Sequence, residues 1–165
     1  MIKRMTCLAA LTVAVAVAGL SAGNAMAEKG GAGTETFTSH EIEAFSFPAA
    51  NACTGEGGLL TASPSTSVFH ITTHVDGTSW LTGTSQGTAT FVPSGAGPTF
   101  TGHFTSWFGE SDNKFNTVGH ATMTIVLSGP EGSRVVVHVR SHFSTNAKGV
   151  VTVEVETMHT QTECV

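Results

Sequence analysis

Histidine is the residue of this sequence whose type and spacing could do chemistry. The chain holds eight histidines and no tyrosine. His70 and His74 lie four residues apart, as do His138 and His142, so each pair would share one face of a β-strand. Imidazole nitrogen binds zinc, copper and nickel, but residues four apart on a strand are separated by about 13 Å and cannot reach one ion together. A metal site would need one histidine from each of two or three neighbouring strands.

By this reasoning the sequence assigns no metal site, and it indicates no cofactor. The histidines from which a site would be built are His70, His103, His120, His138 and His142, with Glu154 or Glu156 as a further ligand. The plainer interpretation is that they are polar residues on the solvated face of a sheet. A response to pH is the intermediate hypothesis, because clustered histidines gain charge between about pH 8 and 5.

One short motif could belong to a hydrolase. Gly83-Thr84-Ser85-Gln86-Gly87 matches the G-x-S-x-G nucleophile elbow, in which a strained turn leads from a strand into a helix. Here residues 88–92 form another β-like run, so the glycines are better explained as a bulge or bend within a strand. No phosphate-binding loop, dinucleotide fingerprint or calcium loop occurs. The sequence therefore favours a function other than catalysis.

The elements that must position these residues are β-strands. Apolar and threonine-rich runs alternate with turn clusters at residues 76–77, 93–98, 109–113, 128–132 and 146–149. No stretch after the leader holds an apolar period of 3.6 residues with helix caps. The pattern predicts an all-β fold, an antiparallel meander of about eight long strands.

Alternation assigns the two faces of each strand. One strand places Val135, Val137, Val139 and Phe143 opposite Arg134, His138, Arg140 and His142, and the last places Val151, Val153 and Val155 opposite Thr152, Glu154 and Glu156. A sheet with one apolar face must cover that face, so we expect a closed barrel, with a β-sandwich as the alternative. Small and bulky residues mix on the presumed inner face, as a ligand cavity or tight packing would require. The residues that would line such a cavity are Phe100, Gly102, Phe104, Ser106, Phe108, Gly119 and Ala121.

The N-terminus is typical of a secretory signal. Lys3 and Arg4 precede an apolar run over residues 8–20, and Ala25-Met26-Ala27 supplies a small-x-small cleavage pattern. The run is too short for a membrane anchor. We therefore expect a signal peptide over residues 1–27, a flexible arm over 28–35 and a single domain over 36–165. The localisation predicted is secreted and extracellular.

Export fixes the cysteine count and the charge. Removing Cys7 leaves Cys53 and Cys164, which an oxidising compartment would pair. Because these cysteines bracket the patterned sequence, their pairing favours a sheet whose first and last strands are adjacent. Loss of Lys3 and Arg4 takes the formal charge from −5 to −7. Such a charge argues against nucleic acid and anionic lipid as partners.

Residues 53–56 read Cys-Thr-Gly-Glu. With the leader, the Thr/His-rich strand that follows, Asp76-Gly77 and the C-terminal cysteine, the chain resembles small secreted bacterial proteins of unknown function that carry this motif. The resemblance implies export and a β fold, and it implies no activity.

Three hypotheses for function follow. The first is a barrel that binds a small apolar or aromatic ligand within its Phe/Gly-mixed inner face. The second is an extracellular interaction module that acts through its Thr/His-rich outer face. The third and most distant is a lyase or isomerase of the small β-barrel kind, which lacks a visible acid/base set. The sequence does not indicate the oligomeric state.

Overall fold

The computed structural model describes residues 33–40, 43–113 and 115–165. Its strands are β1 (Gly33–Ser39), β2 (Phe45–Ala50), β3 (Gly57–Thr73), β4 (Ser79–Pro93), β5 (Phe100–Asp112), β6 (Asn116–Ser128), β7 (Arg134–Asn146) and β8 (Val151–Glu163). The one helical element among these residues is the 3-10 turn Pro130–Gly132. The predicted all-β meander of eight strands is confirmed. No helix in the described part of the chain is long and apolar enough to cross a membrane.

Most of the predictions for the N-terminus concern residues outside the described ranges. Residues 1–27, predicted as a signal peptide, lie outside the described residues, as do residues 28–32 of the predicted arm. The last three residues of that arm, 33–35, belong to β1 and pair with the far end of β3.

All strand pairs are antiparallel, and the sheet runs in the order β1-β3-β4-β5-β6-β7-β8, with β2 also on β3. The sheet is not closed, so the expected barrel is wrong. The reason lies in β3, which is 17 residues long and has both of its edges occupied. One edge pairs with β4 along its length; the other pairs with β2 over Gly57–Ala62 and with β1 over Ser67–Thr73. No edge of β3 is left for β8.

The disulfide joins the two ends of the meander without making them neighbours in the sheet. Cys53, between β2 and β3, bonds to Cys164, one residue after β8, with a Cα–Cα distance of 5.4 Å. The predicted pairing is present. The step from pairing to closure fails because a disulfide fixes the distance between two residues and leaves the hydrogen-bond partners of their strands free.

The core lies on one face of the sheet, at the end that the disulfide clasps. We call this the inner face; its buried apolar residues are Leu60, Ala62, Ala89, Phe91, Phe100, Phe104, Met123, Ile125, Leu127, Val135 and Val139. Cross-strand neighbours stand on the same side of a sheet, and these residues pair in register, as Phe104 does with Ile125. The opposite surface, the outer face, carries mainly threonine and histidine.

The face assignment is right for β7 and wrong for most of β8. Val135 and Val139 are buried, and Val137 packs against the core. In β8, however, Glu154 and Glu156 pair with inner-face residues of β7, whereas Val155 pairs with His142 of the outer face. The valines of this edge strand are exposed, so burial did not select its phase.

We expect Val137→Asp to destabilise the fold far more than His138→Asp. Val137 lies opposite the fully buried Ile125, so an aspartate there would lose water without gaining a partner. Even with the carboxyl group protonated, the cost is about 1–3 kcal/mol. The His138 side chain lies on the outer face, where it hydrogen-bonds Thr124. Urea denaturation of both variants checks the phase of β7, and equal midpoints would contradict it.

Candidate binding groove on the outer face

The seven residues predicted to line a ligand cavity all lie on the inner face of β5 and β6. Phe104 pairs with Ile125 and Phe108 with Ala121, so the two strands present them side by side. Phe104 is almost fully buried and meets the ring of Phe45 edge to face at 6.1 Å between centroids. The set is brought together at the predicted face.

The space between these residues is filled by aromatic rings that lie over glycines. A methyl group added at Gly83 would overlap the ring of Phe108, and one added at Gly119 would overlap the ring of Phe143. Gly58 and Gly129 stand in the same relation to other inner-face rings. A ring laid on a glycine takes the volume that a side chain would otherwise occupy. The mixture of large and small residues is therefore explained by packing.

Carboxylates do face inward, although the sequence showed no acid/base set. Glu110, Glu154 and Glu156 all lie on the inner face, toward the end away from the disulfide. Burial raises the pKa of Glu110 and Asp112 raises it further; burial raises the pKa of Glu156, and Glu154 adds to the effect. A raised pKa means that binding a proton stabilises the folded state. This stabilisation is complete below the pKa of the unfolded chain, and it is lost as the pH rises through the raised pKa.

The G-x-S-x-G motif is not a nucleophile elbow in this fold. Ser85 lies in the middle of β4 and accepts a hydrogen bond from the Ser67 hydroxyl at 2.8 Å. Gly87 lies where β3 bulges between Pro64 and Thr66, and a side chain there would strike the β3 backbone. The motif lies within a strand, as expected, but β4 is continuous there and the bulge is on its partner β3.

An open groove of about 340 Å³ crosses the outer face between β5 and β8. Its lining residues are Trp107, His120, Ala121, Thr122, Arg140, Ser141, His142, Val155 and Thr157. One row of the sheet runs through it, in which Trp107 pairs with Thr122, Thr122 with Arg140, and Arg140 with Thr157. The next row places His120 beside His142. Four strands thus contribute to one concave surface.

Two of the candidate histidines meet in this groove. The Nδ1 atoms of His120 and His142 are 3.1 Å apart, and the ring centroids are 4.3 Å apart. One Nδ1–H donates to the other Nδ1 in this arrangement. The strands bring the rings together because the two residues are direct cross-strand partners.

The other candidate histidines are engaged singly or lie apart. Nδ1 of His70 is 2.8 Å from the Thr36 hydroxyl, and Nδ1 of His138 is 3.0 Å from the Thr124 hydroxyl. His103 is exposed on β5, next to Thr88 and Val126. Within the described ranges, no group of three or more His, Cys, Asp or Glu side chains is arranged to hold a metal ion.

Sequence reasoning missed the residues that border the histidine pair. Trp107 has 43 % of its surface exposed, although tryptophan is highly buried on average. Arg140 has no acidic partner among the residues that the structure describes. The available signal was alternation, which already places Trp107 on the polar face of β5. Alternation within one strand does not show that Arg140 lies in the same cross-strand row.

Comparison with known proteins adds no further constraint. The chain matches no protein-family model, no curated protein and no solved structure.

Proposed function

We propose that the protein is an extracellular binding module whose outer-face groove holds an acidic saccharide. The single observation that carries the proposal is the row Trp107–Thr122–Arg140, which sets an exposed indole and an exposed guanidinium on either side of one strand. Export rests on the leader sequence, and the Cys53–Cys164 disulfide agrees with an oxidising compartment.

The spacing of the strands suits one sugar ring. Two strand spacings separate Trp107 from Arg140, which is about 9.5 Å. The outer edge of the indole lies over Gly109. A sugar ring stacked on the indole at about 3.5–4 Å would bring a carboxylate on that ring within reach of the Arg140 guanidinium. The groove volume of about 340 Å³ lies at the lower end of the range for small-molecule sites.

The groove offers mainly apolar surface, and the Arg140 guanidinium at its edge selects a ligand with a negative charge. The groove is open to solvent, so a ligand would keep much of its hydration, which favours a saccharide over an apolar molecule. The Arg140 guanidinium matches a carboxylate in a two-bond geometry. The hydroxyls of Thr122 and Thr157 are placed to exchange hydrogen bonds with sugar hydroxyls.

This proposal develops the hypothesis of an interaction module and ranks it above the hypothesis of an apolar ligand. Rings packed over glycines argue against an enclosed inner cavity. Inward-facing carboxylates are present, as a lyase or isomerase could use, but no pair of described residues is arranged as the acid and base of such a reaction.

We expect a short uronic-acid oligosaccharide to bind, and its neutral hexose counterpart to bind about 10–100-fold more weakly. That ratio corresponds to the roughly 1.5–3 kcal/mol of a charge-assisted hydrogen bond. Isothermal titration calorimetry measures both affinities. Trp107→Ala should weaken both ligands at least about tenfold, or 1.4 kcal/mol, whereas Arg140→Gln should weaken only the acidic one.

Trp80 offers a matched control. It is the other tryptophan of the chain, it is exposed on the outer face of β4, and its ring contacts His74 outside the groove. Trp80→Ala should leave both affinities unchanged. Equal binding of acidic and neutral sugars, or an equal loss in both tryptophan variants, would contradict the proposal.

A further inference from the structure

We infer that His120 and His142 form a two-histidine chelate for a first-row transition metal ion, with Cu²⁺ preferred. The inference goes beyond saccharide binding, because it rests on a different pair of residues in the groove and does not require a sugar to be bound.

The distance between the two nitrogens carries the inference. Metal–nitrogen bonds of about 2.0–2.1 Å place two ligand nitrogens about 2.9 Å apart at a right angle and about 3.4 Å apart at the tetrahedral angle. The observed Nδ1–Nδ1 distance of 3.1 Å lies between these values. An ion would take the place of the proton that one ring donates to the other, and the donating ring would carry its proton on Nε2 instead, so that both rings stay neutral. The backbone need not move, since the residues are already partners in the β6–β7 ladder.

The pair differs from the other histidines of the outer face. His138 and His159 are also direct cross-strand partners, but Nδ1 of His138 is engaged by the Thr124 hydroxyl. Only for His120 and His142 do two ring nitrogens face each other among the described hydrogen bonds. The chain thus holds two histidine pairs in the same relation, of which one is set up to chelate.

Two imidazoles and open coordination positions suit copper best. Affinity for nitrogen ligands rises along the first-row series to Cu²⁺ and falls at Zn²⁺, and a tetragonal copper site accepts two neighbouring imidazoles with water in its other positions. The groove supplies no carboxylate, and the Arg140 guanidinium lies two residues from His142 on the same face. A positive charge there opposes a cation. Arg140 should therefore weaken the metal site while it strengthens the saccharide site.

The test is titration of the disulfide-closed protein with Cu²⁺, followed by electron paramagnetic resonance of the complex. We expect one tight site whose spectrum shows hyperfine splitting from two equatorial nitrogens. His120→Gln and His142→Gln should each weaken Cu²⁺ at least tenfold and remove that splitting. Zn²⁺ should bind more weakly, and Mg²⁺ should not compete.

His159→Gln is the matched control and should retain both the affinity and the spectrum. Arg140→Gln should bind Cu²⁺ more tightly but the acidic sugar more weakly, whereas Trp107→Ala should lose the sugar and keep the metal. Failure of one proposal is thereby separated from failure of the other. Tight copper binding that survives His142→Gln, or that is lost equally in His159→Gln, would overturn the metal site.

Discussion

Replacing Cys53 and Cys164 with serine should lower the free energy of unfolding by about 2–5 kcal/mol. The disulfide spans 111 residues of sequence, so it removes much of the conformational freedom of the unfolded chain. It also acts in the folded state, because no strand pairing joins β8 to β3 and the disulfide links the segments beside them. Cys53 itself packs against the core.

Urea denaturation of the oxidised protein, the reduced protein and the double serine variant measures this effect. The reduced protein and the double variant should share a lowered midpoint, because both lack only the covalent link. A midpoint equal to that of the oxidised protein would mean that the two ends of the sheet hold together without it. If the unfolding free energy of the oxidised protein falls less steeply with urea than that of the double variant, the unfolded state of the oxidised protein is the more compact one.

The parts of the fold that could be predicted are the strands in which apolar and polar residues alternate clearly enough to assign the two faces. In β5 the alternation of Phe100, Phe104 and Phe108 with polar residues places the rings inward because water must be excluded from one face only. The same holds for β7. Turn residues such as Asp76-Gly77 then separate the strands, with Gly77 in the positive-φ conformation that favours glycine.

Closure of the sheet could not be predicted because it depends on strand pairing far apart in the sequence. Cys53 and Cys164 predict that two ends meet, and they do so at 5.4 Å. Which strand occupies the second edge of β3 depends on the segments before Cys53, which form β1 and β2. Their weak patterning gave no sign of this role.

The prediction of which β8 residues face inward failed for a related reason. Along an edge strand neither face is fully covered, so exposing Val153 and Val155 costs less than it would in the centre of the sheet. The β7–β8 register shifts between Ser144 and Thr145, which lets the ladder set the phase against the apolar pattern. The groove depends on that register, since it brings Val155 and Thr157 beside β7.

Gly102→Leu should prevent the protein from folding to its native state. A side chain at Gly102 would overlap the carbonyl oxygen of Val126 and approach the backbone of Leu127, both on β6. Backbone atoms in a central strand pair cannot rotate away as a side chain can, so the β5–β6 ladder would have to separate locally. Overpacking of a core already costs about 1–3 kcal/mol, and displacement of a ladder adds to that.

A graded series keeps the prediction measurable. Gly102→Ala should lower the urea midpoint clearly, and Gly102→Leu should lower it further or give insoluble protein. Gly57→Ala is the control, because a methyl group at Gly57 meets no atom within 4 Å. We expect that variant to match the parent protein.

The same series decides between packing and a ligand cavity. If a cavity lies beside Phe104, an apolar probe dye binds the parent protein, and Gly102→Leu blocks the dye while it leaves the urea midpoint unchanged. We expect the reverse: no dye binding by the parent, since rings already lie over the glycines of this face, and a destabilised variant. A stable Gly102→Leu protein that has lost dye binding would restore the apolar-ligand hypothesis. It would also move the functional site from the outer face to the inner one.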